Sequence, residues 1–135
     1  MRDILEEIVA NKREEIALFH QLLPITTLAT LTEKMLHITV PSMRRALMES
    51  TTGIIAEFKR RSPSRGWIHR DARVSEVVPA YEQSGASAVS ILTDRNYFGG
   101  YDEHIQQARF MGVSLPILYK NFVVDEYQLF QARYC

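Results

Sequence analysis

The chain has 135 residues, enough for one ordinary domain, and its 46% hydrophobic and 24% charged composition is that of a globular rather than a disordered chain. Sixteen basic residues balance sixteen acidic ones. That leaves no electrostatic footprint for nucleic acid or an anionic membrane, although a local basic cluster can still hold a small anion. No apolar run approaches the roughly 18 residues of a membrane span, and the acidic amphipathic opening is not a secretory signal. The single cysteine, Cys135, excludes an intrachain disulfide and a cysteine metal cluster, and it suits a reducing, cytoplasmic setting.

Residues 3–23 predict a helix. Asp3 is its cap and Glu6 stands at capping-box spacing. Ile4, Leu5, Ile8, Val9, Ile16, Phe19 and Leu23 recur at roughly helical intervals, while Lys12, Arg13, Glu14 and Glu15 read as a solvated face. Pro24 stops the helix. A short helix is expected around Leu28–Leu36, and a turn or two from Ser42 to Met48 with Ser42 as cap. From Gly53 the character changes. Gly53–Phe58, Ala88–Thr93 and Leu115–Lys120 are strand-length, nearly continuous apolar runs, as in a parallel sheet covered on both faces. Helical patterns lie between and after them. One is capped by Ser75, carries Pro79 near its first turn and ends at Gly85. The second runs from about Tyr101 to Met111, and the third opens at Asp125. Strands about thirty residues apart with intervening helices are βα units with right-handed crossovers. The pattern alone suggests an incomplete domain, or a small sheet completed by a partner, since three strands leave open edges that favour self-association.

In parallel α/β folds the chemistry gathers at the carboxyl ends of the strands. After the first strand stands Glu57-Phe-Lys-Arg-Arg-Ser-Pro-Ser-Arg-Gly66. Alternation points Glu57 and Lys59 to one face, either as an acid/base or anion-binding pair or as a structural ion pair. Arg60, Arg61, Ser62, Ser64, Arg65 and Gly66 form a cationic, hydroxyl-rich loop. It suits a phosphate or carboxylate ligand, or is simply solvated. Lys120 ends the third apolar run, where a lysine acts as a proton donor or snorkels to solvent. Phe98, Phe122 and Trp67 either line an aromatic pocket or pack plainly. Gly99-Gly100 reads as a turn. His20, His37, His69 and His104 show no metal-ligand spacing and read as surface or helix residues, so no metal is expected.

The order and wording of these segments carry a resemblance. Ile55-Ala-Glu-Phe-Lys-Arg-Arg-Ser-Pro-Ser-Arg-Gly66 is similar to the A-E-x-K-R-x-S-P-S-x-G motif of the indole-3-glycerol phosphate synthase family. Ser90-Ile-Leu-Thr-Asp-Arg-Asn-Tyr-Phe-Gly-Gly100 resembles its S-x-L-T-x-x-x-x-F-x-G motif. Leu118-Tyr-Lys-Asn-Phe-Val-Val-Asp125, followed by Tyr127-Gln128, resembles its L-x-K-D-F-x-x-D-x-Y-Q motif. Ile4–Arg13 looks like the family's extra N-terminal helices, so the resemblance runs over essentially the whole chain. It implies an α/β chain of the (β/α)8 TIM-barrel family. Residues 1–50 would be the N-terminal helical extension, and residues 51–135 the first three βα units of an incomplete barrel, since a whole one takes about 250 residues.

The resemblance also implies a carboxy-lyase of tryptophan biosynthesis that uses no cofactor. It would close the indole ring of a phosphorylated anthranilate-sugar substrate, with loss of carbon dioxide and water. Lys120 would be the general acid on the substrate carbonyl, and Glu57 the carboxylate that positions the reacting groups. Lys59 would bind the phosphate and help hold the ring-closing geometry. Ser62 would contact the anthranilate carboxylate, and Phe98 and Phe122 would pack on the aromatic ring. One departure falls inside a motif, where Asn121 replaces the family's usual aspartate. The expectation for the chain alone is weak or absent catalysis, because the family's remaining strands carry further site residues. The alternative is a non-catalytic half-barrel that self-associates. Phosphoribosylanthranilate isomerase, another phosphate-binding barrel enzyme, fits poorly: it uses a cysteine and an aspartate, and no cysteine stands at a strand end here.

Overall fold

A computed structural model describes residues 3–135; residues 1 and 2 of the expected N-terminal extension lie outside the described residues. Compactness groups the chain into two units. One holds the residues up to Thr39 together with Phe122–Cys135, and the other is Val40–Asn121.

The first unit is helical. It comprises α1 (Ile4–Leu22), α2 (Ile25–Glu33) and α6 (Tyr127–Tyr134). Asp3 caps α1 by accepting the Leu5 N–H at 2.9 Å. The helix gives way at Leu23, and Pro24, which cannot continue it, becomes the residue from which α2 starts. Lys12 corrects the expectation of a solvated face. It shares the buried stripe of Ile8 and Ile16, one turn from each, and its ammonium pairs with Glu15.

Ile16, Leu28 and Tyr127 form the core of this unit, flanked by Phe19, Leu23, Ile25, Val124 and Phe130. The Tyr127 hydroxyl donates to the Leu23 carbonyl at 2.9 Å, satisfying the chain where α1 ends. The neighbouring Gln128 is 1% exposed and ties the turn into α6 from both ends of its amide. Its Oε1 accepts the Val124 and Asp125 N–H groups at 2.7 and 3.2 Å, and its Nε2 donates to the Phe122 carbonyl at 2.8 Å. Asp125 accepts the Tyr127 N–H at 2.8 Å, and that bond, helped by His20, holds its carboxyl below the usual carboxylate range.

The second unit is a three-stranded parallel sheet of order β1-β4-β5, formed by β1 (Ile55–Phe58), β4 (Ala88–Leu92) and β5 (Ile117–Lys120). Helices α4 (Val74–Gln83) and α5 (Glu103–Phe110) connect the strands, and α3 (Met43–Glu49) precedes them, capped by Ser42. Serine 75 does not cap α4: the helix begins at Val74 behind Arg73, which makes no side-chain cap bond, and Pro79 stands inside it rather than in its first turn. The segment after β1, expected as a loop, folds into an antiparallel hairpin of β2 (Arg61–Ser62) and β3 (Gly66–Trp67).

The two faces of the sheet differ. Phe58, Val89 and Ile91 are buried on the side where α4 and α5 contribute Val74, Val78, Ile105 and Ala108. On the other side Ile55 and Leu118 are 45% and 42% exposed. The turn after β4 is drawn tightly over the strand end. A Cβ on Gly100 would stand 2.1 Å from the Leu92 carbonyl oxygen, so only glycine fits there.

His104 of α5 packs edge-on against Phe58 and Tyr101, with ring centroids 5.6 and 5.3 Å away. Its Nδ1 is buried without a hydrogen-bond partner among the described residues. Burial, reinforced by the charge of Arg60 and opposed by Glu103, lowers its pKa from 6.5 to about 4. The folded state therefore binds fewer protons than the unfolded chain between these values. The stabilisation is complete above pH 6.5 and is lost as pH falls toward 4. Urea unfolding should show wild-type stability falling more steeply over that range than that of His104→Gln; parallel profiles would contradict the assignment. Gln128→Ala, which leaves three backbone groups to be resatisfied, should cost about 1–3 kcal/mol in the same assay. Leu129→Ala, at a 61% exposed neighbour, should stay within about 0.5 kcal/mol.

Candidate active site at the carboxyl ends of the strands

Strand register assembles the site. Glu57 lies beside Ser90, and Ser90 beside Leu118, so these side chains share the face of the sheet opposite the helices. Leu92 lies beside Lys120, and continuing the ladder by one residue places Lys59 in the same row. Glu57, Lys59 and Lys120 therefore stand on one face at its carboxyl edge. The backbones of Lys59 and Lys120 are separated by two strand spacings, about 10 Å.

Within this group Lys59 Nζ is 3.3 Å from Glu57 Oε1, and the Ser90 hydroxyl donates to Glu57 Oε2 at 3.1 Å. Each oxygen of the carboxylate is thus directed, one by a cation and one by a hydroxyl. Both charged side chains keep about a third of their surface exposed, 37% for Lys59 and 34% for Glu57. The pair is open to a ligand rather than sealed, and its Coulombic contribution to stability is correspondingly small. Ser90 is the partner that sequence reasoning missed. Its hydroxyl stands inside the apolar run of β4 and is 2% exposed.

Ser62 sits on the β2–β3 hairpin, 8% exposed. Its Oγ accepts the Arg65 N–H at 3.2 Å and lies 3.4 Å from Ser64 Oγ. Phe98 is half-buried in the turn after β4. Phe122 belongs to the other unit, where its carbonyl accepts from Gln128.

Arg60 and Arg61, of the segment after β1, are engaged in structure. Arg60 donates through Nε and Nη2 to the Gly99 carbonyl at 3.1 and 2.7 Å, and through Nη1 to the Arg70 carbonyl at 3.2 Å. Arg61 donates to the Asn96 carbonyl at 2.7 Å. The guanidinium carbons of Arg60, Arg61 and Arg70 lie 5.7, 5.7 and 5.3 Å from the centre of the Trp67 ring. Trp67 therefore helps fasten the segment after β1 to the turn after β4.

A separate cleft of about 750 Å³ opens between the start of α4 and α5, lined by Arg60, Arg73, Glu103, His104, Phe110 and Met111 among others. It contains none of the six residues predicted for the site. Among the described residues no three His, Cys, Asp or Glu side chains come together as metal ligands, and no helix is long and apolar enough to cross a membrane.

Residues 5–135 match the family model described as indole-3-glycerol phosphate synthase. Three curated proteins of that name each align with 98% of the chain. They come from Bacteroides thetaiotaomicron at 52% identity, Neisseria meningitidis at 41% and Dechloromonas aromatica at 38%. The chain covers 50%, 52% and 51% of their lengths respectively, so it spans about half the length of the curated relatives it matches. By the extent of these matches, the chain belongs to the indole-3-glycerol phosphate synthase family.

Proposed function

We propose that this chain carries the carbonyl-activating and phosphate-binding half of the family's ring-closing reaction, on a phosphorylated anthranilate-sugar substrate, in a cytoplasmic route to tryptophan. The observation that carries the reading is the placement of Glu57, Lys59 and Lys120 on one face at the carboxyl edge of a parallel sheet. Lys120 acts as the general acid. As the anthranilate ring attacks the substrate carbonyl, negative charge grows on the oxygen, and an ammonium neutralises it and supplies the proton. Lys59 binds the phosphate. Its position about 10 Å from Lys120 lets an extended sugar phosphate meet one cation with each end.

Glu57 keeps Lys59 oriented through their 3.3 Å contact, and Ser90 keeps Glu57 oriented in turn. Ser62, on the hairpin beyond β1, takes the anthranilate carboxylate. Phe98 packs on the ring. Phe122 is given the same ring-packing role on its motif position alone. Carbon dioxide and then water leave once the new bond has formed, restoring aromaticity.

The test is an indole-fluorescence assay of the purified chain with the carboxyphenylamino-deoxyribulose phosphate substrate, alongside Lys120→Ala. The expected turnover is weak, and Lys120→Ala lowers it by about 10²–10⁴-fold, the usual worth of a positioned acid. Turnover undiminished by Lys120→Ala contradicts the assignment.

A further inference from the structure

Lys120 is held from behind. The residues on either side of it, Tyr119 in β5 and Asn121 just past the strand, point to the helix side of the sheet and enter a chain of hydrogen bonds. The Tyr119 hydroxyl donates to Asp102 Oδ1 at 2.8 Å. Asn121 Nδ2 donates to Thr93 Oγ1 at 2.9 Å and faces the Tyr119 oxygen at 3.4 Å. Thr93 bonds the Lys120 carbonyl, through its N–H at 3.0 Å and its hydroxyl at 3.4 Å. Asp102 immediately precedes α5 and makes no side-chain cap bond there; its carboxylate faces Tyr119 instead.

The direction of these bonds is fixed by counting hydrogens. A tyrosine hydroxyl has one, and it goes to Asp102. Whatever atom of residue 121 faces that oxygen must therefore donate. The same holds at Thr93, whose single hydroxyl hydrogen goes to the Lys120 carbonyl. An asparagine amide has two hydrogens to give, and an ionised aspartate has none. An aspartate at 121 would face a tyrosine whose only hydrogen is already given to a carboxylate. It would also draw the Thr93 hydrogen away from Lys120. An aspartate at this position is thus the wrong partner for Tyr119 and Asp102 as they stand here.

We propose that Asn121 is a positioning residue for Lys120, matched to the Tyr119–Asp102 pair, and that residues 102 and 121 form one coupled unit in which only one carries a carboxylate. The positioning role rests on the proposed assignment of Lys120 as the acid. The coupling does not, because it is read in stability and amide exchange rather than in turnover.

The experiment is a double-mutant cycle of Asn121→Asp and Asp102→Asn in the full chain. It follows the thermal unfolding midpoint at neutral pH and the hydrogen exchange of the Thr93 amide, whose acceptor is Lys120. Asn121→Asp should lower the midpoint by about 4–8 °C and speed Thr93 exchange roughly tenfold. Adding Asp102→Asn, which returns the unit to one carboxylate with the amide on the opposite side of Tyr119, should recover at least half of both losses. Additive losses, or an Asn121→Asp chain indistinguishable from wild type, would overturn the proposal. If Asn121→Asp does not fold, a folded double variant supports the coupling and an unfolded one refutes it. A failed cycle beside Lys120-dependent turnover refutes the coupled unit alone. An intact cycle beside turnover indifferent to Lys120 supports the coupling and refutes only the acid assignment.

Discussion

The parallel register that sets Glu57 beside Ser90 and Leu92 beside Lys120 is the constraint on which the candidate site depends. A strand offers its side chains to two faces in strict alternation, and a one-residue slip would exchange them. Here α4 and α5 claim one face for Phe58, Val89 and Ile91. Every residue assigned to chemistry on β1 and β5 must then appear on the other. The apolar packing thus orients the charged groups, because burial of the hydrophobic side chains leaves Glu57, Lys59 and Lys120 a single direction to point. In such a sheet packing and chemistry are set by the same alternation.

The turns above that edge are fastened by polar contacts rather than by a core. Arg60 and Arg61 reach the backbone of the turn after β4, and Trp67 lies among three guanidinium groups. Gly100 lets the same turn come down onto Leu92 where a larger residue would strike the backbone. The basic stretch after β1 therefore gives the site its rim, while the cations assigned to ligand binding sit on strand ends. In the helical unit Tyr127 and Gln128 have a comparable task, closing the backbone at the end of α1 and at the start of α6. Both belong to the third motif, although neither is assigned any chemistry.

The three parallel strands and their helices were readable because doubly covered strands have continuous apolar runs and the helices between them have their own period and stop signals. The pairing of Glu57 with Lys59 was readable for the same reason, since spacing by two determines the face. Lys12 was misjudged because a charged residue on a helix is normally solvated. Its place one turn from Ile8 and Ile16 was the better guide, with Glu15 within reach as its partner. The hairpin at Arg61–Trp67 was missed because two-residue strands carry no periodicity. Ser90 and the Asp102–Tyr119–Asn121–Thr93 chain were out of reach for a different reason. Their partners come from separate strands and turns, and only register brings them together. The motifs had included Ser90, Thr93 and Asn121 without showing what they touch.

We assign ligand chemistry to the sheet face opposite α4 and α5. A heteronuclear NMR titration of the chain with indole-3-glycerol phosphate addresses this assignment most directly, because each residue reports separately. The largest shifts are expected at Glu57, Lys59, Ser62, Ser90, Phe98 and Lys120, with little change at Val89 and Ile91 on the packed face. Shifts centred instead on Arg73, His104 and Phe110, around the cleft between the two helices, would contradict it.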